Sequence, residues 1–135
     1  MIIIDPDKAT VRRVKYGGDT KQIYKELGCE LFDIVSIGDG IDLFIDDEGL
    51  YNPDNVNADG SLKVNLMATY LRLWWWMSDP QDYDWRLAQK MYQIVGKVVV
   101  LAHDDDGNTV DLDDAQNEEV LELLGQDQTM SEEEA

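Results

Sequence analysis

"LFDIVSIGDGIDLFIDDEG", residues 31–49, holds two apolar-rich runs, 31–37 and 41–45, split by Gly38-Asp39-Gly40. Two glycines in so short a break supply the backbone freedom of a tight reversal, so the stretch reads as a β-hairpin. The same grammar recurs on either side. "KVVVLAHDDDGNTVDL", residues 97–112, gives a buried-type strand over 97–103, a turn at Asp106-Gly107-Asn108 and a short return strand. "MIIIDPDKATVRRVKY", residues 1–16, gives an apolar strand, a turn at Asp5-Pro6-Asp7 and a strand over 10–16 that puts Val11 and Val14 on opposite faces.

Helical signals fall between these pairs. In "GGDTKQIYKELG", residues 17–28, Asp19 stands as N-cap, Gln22 follows three residues later as in a capping box, Ile23 and Leu27 form a stripe, and Gly28 stops the helix. "LYNPDNVNADGS", residues 50–61, is a loop by composition. From Leu66 to Met77 only Thr69 and Arg72 are polar, so a helix there is central or sits in an interface. Ser78-Asp79-Pro80 stops it and starts another over 80–95, packed by Leu87, Met91 and Ile94. Asp113 caps a last helix, with Val120, Leu121 and Leu124 inside and Glu118, Glu119 and Glu122 outside. The sum is an α+β fold, a mostly antiparallel sheet of four to six strands packed against three or four helices. It forms one domain over 1–125, with 62–93 as a Trp-rich helical insertion and 126–135 as a disordered acidic tail.

Three successive tryptophans, Trp74, Trp75 and Trp76, fan over about 200° of a helix, so they cannot share one environment. Leu66, Tyr70, Leu73, Trp74 and Met77 form the stripe assigned to the core. Trp75 and Trp76 then turn away from it. Either Trp85, Ala88 and Tyr92 cover them within the chain, or at least one ring anchors a partner.

The 135 residues carry 29 acidic and 11 basic side chains, a net charge of -18. No Lys or Arg interrupts the nine acidic residues between Glu30 and Leu62, or the thirteen after Lys97. Such an excess repels nucleic acid and anionic membrane and attracts basic surfaces. Cys29 is the single cysteine, which suits a reducing compartment. "MIIIDPDK" lacks the basic start and long apolar run of a signal peptide, and no apolar stretch approaches the roughly 20 residues of a membrane span, so a cytoplasmic setting in a host cell is expected.

Sites of chemistry are scarce. "HDDDGNTVDLDD" fails as a calcium loop, because with Gly107 sixth the first ligand position is Ala102 and the twelfth is Asp113. "NVNADGSLKVNL" sets Asn55, Asn57, Asp59 and Gly60 in register but ends on Leu66. His103, the only histidine, reads as structural, and "GGDTK" lacks the spacing of a phosphate loop. Arg12, Arg13 and Lys15 read as protection of an edge strand. No catalytic residue, metal or cofactor is expected.

The order of these features resembles a small uncharacterised domain of phage, prophage and plasmid proteins. Ile23, Leu27 and Gly28, "DDEG" at 46–49, Asn52, Asn55 and Ala58, Gly96 with Val98–Val100, and Gly107 with Leu112 carry the likeness, over 1–59 and 94–112. The resemblance implies an α+β fold and a mobile-element origin, and it transfers no catalytic residue. Segment 62–93 looks longer than the family's usual connection.

Two functions are therefore expected to compete, neither of them enzymatic. In the first, an acidic phage-type protein inhibits a basic, nucleic-acid-binding host protein, with Asp46, Asp47, Glu48, Asp104, Asp105 and Asp106 standing in for phosphates. In the second, the Trp-rich helix docks through Trp75 and Trp76, onto another protein or in a homodimer.

Overall fold

The computed structural model describes residues 1–49, 53–76 and 93–133, without the side chains of Trp75 and Trp76. Six strands form one sheet: β1 (Ile2–Asp5), β2 (Thr10–Arg13), β3 (Phe32–Gly38), β4 (Ile41–Asp46), β5 (Val98–His103) and β6 (Thr109–Val110). Their order is β2-β1-β5-β4-β3, and every ladder is antiparallel. β6 takes the flank of β5 beyond β1, pairing at Ala102 and His103. Three α-helices are described, α1 (Lys21–Leu27), α2 (Leu66–Trp76) and α3 (Asp114–Leu123), with a 3-10 turn at Pro53–Asn55. The chain is α+β.

β5 is central because its apolar run has no polar face to offer. Val98, Val100 and Ala102 point into one layer, and Val99 and Leu101 into the other. β1 and β4 divide in the same way, with Ile2, Ile4, Ile41 and Leu43 on the first side and Ile3 and Phe44 on the second. The first layer is closed by Ala68 and Leu71 of α2 and by Val120 and Leu121 of α3, the second by Ile23 and Leu27 of α1. Val11 and Val14 fall in opposite layers, as their odd spacing predicts.

The helix termini depart from the sequence reading at α1 and α2 and follow it at α3. Thr20 is the N-cap of α1 and makes no side-chain cap; Asp19 Oδ1 accepts from Lys21 N instead, at 3.0 Å. Gln22 does not close a capping box. Its carboxamide accepts from Gly17 N and donates to Lys15 O, fastening α1 to the chain leaving β2. At α3 the box is complete, with Asp113 and Gln116 exchanging bonds.

The stripe assigned to the core of α2 is corrected. Of that stripe Leu73 is buried, but Leu66 is 63% exposed and Trp74 41% exposed, while Ala68, Thr69 and Leu71, outside it, are buried. The cause is a polar anchor, Asn65. Its Nδ2 donates to Ile4 O and Gly96 O, its Oδ1 accepts from Ala68 N, and Thr69 Oγ1 accepts from Ile94 N. These bonds set the rotation of the helix about its axis, which counting apolar residues cannot do. The Tyr70 and Trp74 rings lie 5.8 Å apart on the outer side.

Of the helix expected over 80–95, residues 80–92 lie outside the described residues, as do Met77, Trp85, Leu87, Ala88, Met91 and Tyr92. Ile94 and Val95 are buried but not helical: Asn65 N donates to Ile94 O, and Val95 bridges to Val64. The acidic tail does not hang free through Glu133. Met130 packs on the first layer, Glu133 N donates to Arg13 O at 2.8 Å, and Arg12 pairs with the Glu133 carboxylate at 2.9 Å. Arg12 and Arg13 thus hold a covering segment against the edge of β2, a contact that composition does not anticipate. Among the described residues no helix is long and apolar enough to cross a membrane.

Candidate functional site

At the far end of β5 the sequence folds three acidic segments together. The β3–β4 reversal brings Asp39, the β5–β6 turn brings Asp104, Asp105 and Asp106, and α3 begins beside both. His103 N donates to Gly40 O at 2.9 Å, and Gln116 Nε2 donates to Asp39 O at 2.8 Å, so backbone and side chain bind the segments. An open depression of about 580 Å³ lies between them, lined by Asp39, His103, Asp104, Asp105 and Gln116 and by no lysine or arginine among the described residues.

The carboxylates there do different work. Asp104 Oδ1 accepts from Asp106 N and Asn108 N, so its charge shapes the turn. Chiefly because the Asn108 N–H holds it, the Asp104 carboxyl titrates below the usual carboxylate range. Asp105 and Asp106 are exposed and carry the outward charge. Glu119 is pushed the other way, first by burial and then by the neighbouring charges of Asp39 and Glu122.

That crowding has a measurable sign. Because folding raises the Glu119 pKa, the folded state keeps this proton to higher pH than the unfolded chain does, and stability falls as pH climbs through that window, from about 4.3 upward. Glu119→Gln has no proton to lose there. In denaturation followed from pH 3.5 to 7, the variant should gain on the wild type as pH rises. A difference constant across pH would contradict the assignment.

His103 faces a carboxylate and not a hydroxyl. Its Nδ1 lies 2.9 Å from Asp42 Oδ2, and Asp42, buried in β4, also accepts from Ser36 Oγ at 2.6 Å. The carboxylate stands between the hydroxyl and the imidazole, so serine and histidine do not touch. Among the described residues no group of His, Cys, Asp and Glu side chains is placed to hold a metal ion.

The two acidic triplets singled out in the sequence are not brought together. Asp46 ends β4, antiparallel to β5, so Asp46, Asp47 and Glu48 stand at the opposite end of the sheet from Asp104–Asp106, about 23 Å away along the strand. Asp46 Oδ1 accepts from Glu48 N in its own turn. The side chains of Trp75 and Trp76 lie outside the description. Sequence reasoning missed Asp42, Gln116 and Asn65; Asn65 carried a local signal, an asparagine directly before an apolar helix, and Gln116 another, its place three residues after the cap Asp113.

These features define an α+β sheet domain with carboxylate-dense turns at one end and no assembled catalytic group among the described residues. The chain belongs to the family described as Domain of unknown function (DUF3846), whose model matches residues 1–125. That match runs through 62–93 and stops short of the acidic tail. No curated protein and no solved structure matches.

Proposed function

We propose that the protein binds a basic surface of a partner through the carboxylates at the β3–β4 and β5–β6 end, occupying a groove built for nucleic acid. One observation carries this reading. Asp39, Asp104 and Asp105 line one depression from two separate chain segments, Glu119 of α3 lies close enough to Asp39 to feel its charge, and no lysine or arginine is among the described lining residues. Rigid turns hold them, so the charges face a partner at fixed spacing and lose little freedom on binding. A cationic surface would also relieve the repulsion around Glu119. The resemblance to phage and plasmid domains is in keeping with a host protein as target and host cytoplasm as setting.

The test uses a partner captured from host lysate. Its affinity should fall steeply with salt, and duplex DNA should compete for the same groove. Reversing Asp105 and Asp106 to lysine should weaken binding by about tenfold or more, whereas reversing Asp47 and Glu48, at the other end, should do far less. Binding indifferent to salt and to DNA would refute the proposal.

A second reading rests on α2, where Leu66 and Trp74 expose apolar surface beside Tyr70. If binding survives both charge reversals and is lost on changing Leu66 and Trp74 to serine, α2 is the docking face of a homodimer or a heterologous complex.

A further inference from the structure

The start of β5 carries a site of mixed charge, where Asp5, Asp7, Glu26 and Asp54 share the lining with lysines. A cleft of about 560 Å³ opens between the β1–β2 turn, the C-terminal end of α1, the 3-10 turn and the chain entering β5. Four lysines line it, Lys8, Lys25, Lys63 and Lys97, each from a different segment. In a chain of net charge -18 with 11 basic residues, this convergence is a product of the fold, because no two of the four are neighbours in sequence.

Their states differ in a useful way. Lys97 lies 4.0 Å from Asp5, whose other oxygen is held by Asp7 N and Lys8 N, and Lys63 lies 3.4 Å from Asp7. These two pairs make a neutral floor. Lys8 and Lys25 are exposed and have no ion pair among the described residues, so two ammonium groups are available to a ligand. Glu26 also lines the cleft and presents acceptor oxygens.

We infer that this cleft binds a phosphorylated, hydroxyl-bearing small molecule of sugar-phosphate or nucleotide size. Lys8 and Lys25 meet the phosphate as charge-assisted donors, and Glu26 accepts from ligand hydroxyls. Inorganic phosphate satisfies only the first half of that set. The volume lies within the range of small-molecule sites, and the charged lining suits a polar ligand. The site is distinct from the acidic end, about 20 Å away along β5, and does not depend on the function proposed above.

Titration calorimetry of the full chain with ribose 5-phosphate, ADP, inorganic phosphate and ribose tests it. Ribose 5-phosphate or ADP should bind saturably and more tightly than phosphate or ribose, and whichever wins identifies the ligand as sugar phosphate or nucleotide. Lys8→Gln with Lys25→Gln should weaken that binding by about tenfold or more. Both residues are exposed, so the variant folds, which circular dichroism verifies. Glu26→Gln should narrow the preference over inorganic phosphate. Heat absent for every ligand at millimolar concentration, equal affinity for phosphate and its sugar ester, or binding untouched by the double substitution would each overturn the inference.

Discussion

Replacing Asn65 with alanine is expected to destabilise the domain by about 3–5 kcal/mol, because three buried backbone groups lose their partners at once. Asn65 has no exposed surface. Its side chain holds the end of β1 through Ile4 O, the entry to β5 through Gly96 O, and the first turn of α2 through Ala68 N. Alanine can hold none of these, and the space left is walled by protein. Asn65→Asp separates the roles: the acceptor for Ala68 N survives, while the donors to Ile4 and Gly96 vanish and a carboxylate takes their place in the interior. Urea denaturation should show both variants strongly destabilised, with α2 better retained in Asn65→Asp by far-ultraviolet circular dichroism. A loss below about 1 kcal/mol for Asn65→Ala would show that this junction does not hold the layers together.

Gly96→Ala is expected to cost about 2–4 kcal/mol, from two separable causes. Gly96 has φ +83°, which a side chain strains, and a Cβ there would stand 2.6 Å from Asn55 Oδ1. Asn55 cannot simply step aside. Its Nδ2 donates to Gly49 O and its backbone carbonyl accepts from Lys63 N, so moving it loosens the wall of the lysine-lined cleft. In the Asn55→Ala background the clash disappears and only the backbone strain remains. Gly96→Ala should therefore cost less there than in the wild type. Equal costs in the two backgrounds would place the whole penalty in the backbone.

What the sequence made legible follows from the range of the forces involved. The strands over 31–37, 41–45 and 97–103 are visible because an apolar run beside a Gly-Asp-Gly or Asp-Gly turn is a local signal. The cap and inner face of α3 are visible for the same reason. The rotation of α2 is not, because Asn65 reaches Ile4, across most of the N-terminal half, and Gly96, beyond the Trp-rich segment. Nor is the separation of the two acidic triplets, which needs the antiparallel pairing of β4 with β5. The lysine-lined cleft is hidden most deeply. Charge statistics dilute four scattered lysines among 29 acids, and only the fold gathers them.

The strand order also sets a timetable for synthesis. β1 emerges first and can close one flank at once against β2, yet its other flank pairs Ile2 with Val100 and Ile4 with Val98. That partner is made only after the Trp-rich segment, and the same strand completes the far flank of β4, through Leu43 and Phe44. Two hairpins with open, strongly apolar edges must therefore persist on the ribosome until β5 arrives between them. Contacts so distant along the chain make folding slow, and edges of this kind pair readily with other nascent chains. The carboxylates of Glu30–Asp59, within and around the second hairpin, place like charge beside its open edge, which opposes pairing between identical copies.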